Sequence, residues 1–160
     1  MRIILTGGGT GGHIYPALAV AERLQALHPD CEILYVGTDR GLEKDIVPKR
    51  NLPFRTIHAE GLPRKLTPAL LKAVKKSADG CLEARKIVKS FQPDVVIGTG
   101  GYVCGPVVLA AKLQGVPTMI HEQNAFPGIT NKLLARFANC IMVNFEESKK
   151  YFVHKYIYQV

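Results

Sequence analysis

The stretch Gly7-Gly8-Gly9-Thr10-Gly11-Gly12-His13 decides how this chain reads. It follows the apolar run Ile3-Ile4-Leu5 and precedes Ile14-Tyr15-Pro16-Ala17-Leu18-Ala19-Val20-Ala21, where small and apolar residues recur at helical spacing. A strand, a tight glycine turn and a helix are therefore expected in that order. Such a turn suits a phosphate. Glycines let the main chain approach a ligand and adopt positive φ, and the unpaired N–H groups and dipole of a helix N-terminus favour an anion. Pro16 fits a first helical turn, which has no N–H to lose. Gly7, Gly9 and Gly12 satisfy G-x-G-x-x-G, a pattern shared by many dinucleotide binders. His13 adds an imidazole at the mouth of the turn, able to act as base or hydrogen-bond donor. The alternative is a plain βα turn that His13 caps.

Outward from this turn, strand and helix alternate. The first helix ends near Leu27-His28-Pro29, and Glu32 to Gly37 reads as a second strand that delivers Thr38-Asp39. Asp39 is a late candidate for the acidic residue that holds a cofactor ribose in dehydrogenases, which keeps an NAD-binding oxidoreductase domain open as a reading. A short helix over Leu42 to Lys49, a strand over Phe54 to His58 and a Gly/Pro loop over Gly61 to Lys65 follow. Thr67-Pro68 reads as an N-cap and first helical residue, opening a helical stretch to Phe91 in which Gly80 marks an expected break. Leu66 and Leu70 lie there beside Lys72, Lys75 and Lys76. That arrangement suits an anionic membrane surface, or simply an amphipathic helix with a solvated lysine face.

Pro93 to Gly98 is a strand by its β-branched run, and it feeds a second glycine turn, Gly98-Thr99-Gly100-Gly101-Tyr102-Val103-Cys104-Gly105-Pro106, before a helix that stops at Gly115. Val116 to Ile120 is the next strand, and it carries His121-Glu122-Gln123-Asn124 to the same edge. Residues at the carboxyl ends of parallel strands face bound ligand. The alternative is that His121 and Glu122 satisfy each other and cap the next helix. A helix from Pro127 to Ala138, a strand over Cys140 to Val143, a helical turn over Ser148 to Phe152 and a last eight residues that alternate weakly, as a strand would, complete the pattern. Six strands joined by helices predict an α/β, open, parallel, doubly wound, Rossmann-like sheet.

Composition sets the bounds. The 160 residues, 47% of them hydrophobic, suffice for one domain with a real core. A net charge of +8 favours an anionic partner: a phosphorylated ligand, an acidic membrane surface or nucleic acid. Cys31, Cys81, Cys104 and Cys140 are scattered, without a C-x-x-C pair or a nearby histidine to suggest zinc, so reduced thiols are expected. The start of the chain lacks the pattern of a signal peptide, and no apolar run is long enough to span a bilayer.

The first glycine loop with its histidine, Gly100-Gly101-Tyr102-Val103-Cys104-Gly105-Pro106 after a strand, and His121-Glu122-Gln123-Asn124 occur in this order from Met1 to about Phe152. This combination closely resembles the N-terminal domain of the family 28 glycosyltransferases that add N-acetylglucosamine to undecaprenyl-diphosphate-linked muramyl pentapeptide in peptidoglycan synthesis. The resemblance implies the N-terminal, acceptor-binding half of a GT-B enzyme. Thr10, Gly11, Gly12 and Asn124 would touch UDP-N-acetylglucosamine, and Gly100, Gly101 and Tyr102 would cradle the acceptor diphosphate. It implies an inverting, metal-independent displacement by the C4 hydroxyl of the muramyl sugar, converting lipid I to lipid II without a cofactor. His13 is the expected base and Glu122 the second choice. It further implies a peripheral position on the cytoplasmic face of the bacterial membrane, through Leu66, Leu70, Lys72, Lys75 and Lys76, with no nucleic acid among the partners.

A complete member continues past Phe152 into a donor-binding domain. Residues 1–152 are thus expected to form the acceptor domain and 153–160 a tail or the start of a linker, with the C-terminal domain missing or supplied by a second chain. Little transferase activity is then expected of this chain alone. A noncatalytic membrane-docking domain is the other alternative.

Overall fold

The computed structural model describes residues 1–61 and 68–160, and side chains outside 68–78. Strands β1 (Arg2–Thr6), β2 (Glu32–Gly37), β3 (Phe54–Thr56), β4 (Val95–Gly98), β5 (Thr118–Glu122), β6 (Cys140–Val143) and β7 (Ile157–Gln159) form a single sheet. Its order is β3-β2-β1-β4-β5-β6-β7, and every pairing is parallel. Helices α1 (Gly11–Leu27), α2 (Glu43–Ile46), α3 (Pro68–Phe91), α4 (Cys104–Leu113) and α5 (Ile129–Leu134) join them.

The sheet is buried on both faces, which is why its central strands are unbroken apolar runs. Along β1, Ile3 and Leu5 enter one core with Ile14, Ala17, Leu18 and Ala21 of α1, while Ile4 enters the other with α3 and α4. The four α1 residues recur at i, i+3, i+4 and i+7, the spacing of one helix face. Burying each Ile or Leu among them contributes about 1.5–3 kcal/mol. The order reverses between β1 and β4, and the crevice beyond their carboxyl ends is where such sheets take ligands.

Four expectations need correction. The sheet has seven strands rather than six, because the strand-like alternation of the last eight residues does form a strand: residues 157–159 pair with β6, and the Val160 N–H reaches the Val143 carbonyl at 2.9 Å. Gly80 does not break α3, because the glycine serves close approach: a Cβ there would run into the His58 carbonyl oxygen. β3 stops at Thr56, two residues early. The His58 N–H and ring Nδ1 turn to the Glu83 carboxylate of α3, at 2.6 and 2.7 Å. Finally, β5 runs on through His121 and Glu122, which are therefore strand residues and buried. The expected cap at Thr67 and the position of Leu66 lie outside the described residues, as do the side chains of Leu70, Lys72, Lys75 and Lys76.

Candidate functional site

Three segments meet where β1, β4 and β5 end. The two glycine loops touch directly: the Gly8 N–H donates to the Gly100 carbonyl at 3.3 Å, and a Cβ on Gly101 would strike the Gly8 main chain. Gly100 and Gly101 have φ of +112° and +85°, conformations glycine adopts without penalty. The third segment joins through Gln123, whose Nε2 donates to the Gly12 carbonyl at 2.7 Å.

His13 lies between the two loops, half-buried. Its Nδ1 is 3.1 Å from the Gly8 carbonyl oxygen and 3.3 Å from Thr10 Oγ1, and its ring edge packs on Gly100. A carbonyl only accepts, so Nδ1 carries the proton of the neutral ring and Nε2 keeps the lone pair. Thr10, extended at φ −139°, opens α1 without a side-chain cap, and the first turn contains no acidic residue. The Gly11 and Gly12 N–H groups at the N-terminus of this 17-residue helix thus receive no hydrogen bond from a capping side chain.

The second loop differs in kind. The Gly100 N–H points inward to Cys104 Sγ at 3.2 Å, and that thiol also contacts the carbonyls of Thr6 and Gly100, both at 3.0 Å. Burial pushes the Cys104 thiol up to about 12, so it stays protonated and donates. Gly100 therefore contributes space to the site rather than an N–H. Tyr102 leans over Gly9, with its hydroxyl 3.5 Å from Thr38 Oγ1. Beyond Tyr102 opens an apolar groove of about 520 Å³, lined among others by Pro106, Leu109, Ile129, Leu133 and Phe137.

Glu122 is only 1% exposed, and its carboxylate is saturated. One oxygen accepts from the main chain and side-chain amide of Asn124 (3.0 and 2.9 Å), the other from the Gly128 N–H and the Asn131 side chain (3.2 and 2.8 Å). It shapes the loop that presents exposed Asn124, and it leaves no lone pair turned to a substrate hydroxyl. The neighbouring His121 holds Asn144 Oδ1 through Nε2 at 2.6 Å, rather than pairing with Glu122. Among the described residues no cluster of three or more His, Cys, Asp or Glu is arranged to hold a metal ion.

Glu43 was missed by sequence reasoning. It is fully buried, and it accepts from the Gly9 N–H (3.0 Å), the Thr38 N–H (3.0 Å) and the Thr38 hydroxyl (2.7 Å). The carboxylate that meets the first glycine loop is thus Glu43, whereas Asp39 is exposed.

Residues 3–143 match the glycosyltransferase family 28 N-terminal domain. The chain belongs to glycosyltransferase family 28. It is 60% identical over 155 residues to a UDP-N-acetylglucosamine–N-acetylmuramyl-(pentapeptide) pyrophosphoryl-undecaprenol N-acetylglucosamine transferase of Desulforamulus reducens, covering 97% of this chain and 42% of that protein. A transferase of the same name from Bacillus pumilus is 54% identical over 152 residues, covering 95% and 42%. The crystal structure of MurG from Acinetobacter baumannii superposes with a TM-score of 0.83 at 34% identity, covering 99% of this chain and 45% of that one. A UDP-GlcNAc 2-epimerase from Methanocaldococcus jannaschii, at 17% identity and a TM-score of 0.60, shares the fold alone. This family 28 chain spans about two fifths of the length of the curated relatives it matches. Membership sets aside the NAD-oxidoreductase reading.

Proposed function

We propose that this chain is the acceptor-side domain of an inverting N-acetylglucosaminyltransferase that converts lipid I to lipid II. The observation that carries the reading is His13: an imidazole held through Nδ1 against the Gly8 carbonyl, between two abutting glycine loops at the switch point of the sheet. Family membership and 60% identity to a transferase of that name support the substrate pair, UDP-N-acetylglucosamine and the undecaprenyl-diphosphate-linked muramyl pentapeptide.

In this reading the muramyl C4 oxygen forms a bond to the anomeric carbon of the donor as the bond to the UDP oxygen breaks. The hydroxyl proton passes to His13 Nε2, and the electron pair leaves with UDP. The Gly11 and Gly12 N–H groups, with the Thr10 hydroxyl beside them, meet the charge of the donor, as Asn124 does from the third segment. Gly101 and Tyr102 face the acceptor diphosphate, Gly100 makes room for it, and the apolar groove past Tyr102 suits the start of the polyprenyl chain. Glu122 acts by positioning Asn124, and His13 alone is assigned as base. The partner half, supplied by a C-terminal domain or by a second chain, holds the rest of the nucleotide.

The domain works at the cytoplasmic membrane face as a peripheral protein. The charge of +8 and the apolar and basic sequence from Leu66 to Lys76 support this, and no helix among the described residues is long and apolar enough to cross a membrane. The deciding experiment joins this chain to the C-terminal half of the Desulforamulus reducens relative and follows transfer to a polyprenyl-diphosphate acceptor. His13→Ala is expected to lower kcat by about 10²- to 10⁴-fold, the range of a positioned base, with the fold intact. Turnover at the unsubstituted rate would remove His13 from that role.

A further inference from the structure

We infer that Glu43 is a positioning residue, setting both glycine loops through hydrogen bonds that only a carboxylate can accept; this rests on the anion-binding reading above. The side chain is fully buried, and its partners are neutral donors from two segments: Gly9 in the first loop, and the N–H and hydroxyl of Thr38 after β2. Room for it has been cleared three times. A Cβ on Gly8 would lie 2.5 Å from Glu43 Oε1, one on Gly37 would lie 2.6 Å from Cγ, and one on Gly41 would run into Oε2. A buried charge is costly, so a carboxylate kept here without a cation in contact among the described residues needs a reason other than stability.

The hydrogen-bond directions supply that reason. The Gly9 N–H is fixed inward by Oε2, which turns the chain at φ +85° so that the following residues, Thr10 to Gly12, open α1 toward the crevice. The single Thr38 hydroxyl proton goes to Oε1, leaving its oxygen to accept from the Gly41 N–H at 3.1 Å and from the Tyr102 hydroxyl at 3.5 Å. One carboxylate thereby orients the first loop directly and the second through Tyr102. An amide at the same place would turn an NH₂ toward the Gly9 N–H or toward Thr38, donor against donor, at unchanged volume.

Glu43→Gln in the 160-residue chain, titrated with inorganic pyrophosphate and followed by ¹⁵N amide NMR, tests this. Removing a negative charge near an anion site would by itself tighten binding, so electrostatics and positioning predict opposite signs. The expected result is displaced Gly9 and Tyr102 amide resonances without ligand, unchanged circular dichroism, and pyrophosphate affinity weaker by about tenfold. Equal or tighter binding, or unmoved Gly9 and Tyr102 resonances, overturns the inference. Should Glu43→Gln fail to fold, Thr38→Val and Thr38→Ser decide. Loss of affinity in the first with rescue in the second supports the relay, and equal affinity in both overturns it. If pyrophosphate leaves the Thr10 to Gly12 amides of the unsubstituted chain untouched, the anion-site reading itself falls, and this inference with it.

Discussion

The imidazole of His13 rests against the Cα of Gly100, so closely that a Cβ on Gly100 would stand 2.6 Å from its Cδ2 and 2.9 Å from Nε2. Gly100 also has a φ of +112°. Gly100→Ala is therefore expected to act twice. Backbone strain of about 1–3 kcal/mol should lower the melting temperature, and the displaced ring should lose its Nδ1 contact to the Gly8 carbonyl. In the joined two-domain enzyme kcat should fall by about 10²-fold, the scale of an ångström's misplacement. Thermal melts alongside steady-state rates would check both, and an unchanged kcat would separate Gly100 from the catalytic geometry.

Much of this was legible because the fold writes itself in period and punctuation. Ile3 to Leu5 and Val95 to Ile97 read as continuous apolar runs, Met119-Ile120 continues the pattern in β5, and each is followed by the residues that meet at the site. The misses have physical causes. Glu43 sits among Arg40, Lys44 and Asp45, where a charged residue reads as solvated, and only three-dimensional packing shows that Gly8, Gly37 and Gly41 make space for it. Glu122 looked reactive because a carboxylate after an apolar strand has no packing role in one dimension. Its four donors come from residues that only the loop beyond β5 folds back to it. Gly80 read as a helix breaker from propensity alone, since the carbonyl it accommodates belongs to His58, far away in sequence.

Glu122→Ala should unsettle the loop before it touches the chemistry. Removing the carboxylate takes away the acceptor of the Asn124 and Gly128 N–H groups and of the Asn124 side-chain amide, and leaves the Asn131 amide only the His121 carbonyl. Each lost hydrogen bond contributes about 0.5–1.5 kcal/mol, so with four of them removed a loss of stability of about 2 kcal/mol or more is expected by urea denaturation. Amide exchange should rise from 123 to 131. A stable variant with normal exchange and no turnover would instead return Glu122 to a direct catalytic role.

Charge reversal addresses the membrane. Lys72→Glu, Lys75→Glu and Lys76→Glu together change the net charge by six units, and each basic residue near an anionic surface contributes about 1 kcal/mol. Sedimentation with vesicles containing anionic phospholipid should show strongly reduced binding of the triple variant at low salt, with both proteins equally unbound to neutral vesicles. Equal binding to anionic vesicles would refute a role for this segment.

The pair His58–Glu83 ties the end of β3 to α3 and should show in the pH dependence of stability. The hydrogen bond and charge of Glu83 raise the His58 ring above its ordinary 6.5. Partial burial works to raise Glu83, but the His58 main-chain N–H, the His58 ring and Lys86 outweigh it and hold the carboxyl below 4.5. A raised histidine contributes stability that is fully present below 6.5 and is lost as pH rises through the folded value. A lowered carboxyl contributes above 4.5 and loses its contribution as pH falls through its folded value. Both contributions coexist between 4.5 and 6.5. With the side chains 63% and 36% exposed, solvent keeps the effect small. Glu83→Gln is expected to lower the melting temperature most in that window and less once pH has risen through the folded His58 value, where the ring charge no longer adds to the hydrogen bonds and to Lys86. A melting-temperature difference independent of pH would show that the ionic part of the contact contributes nothing.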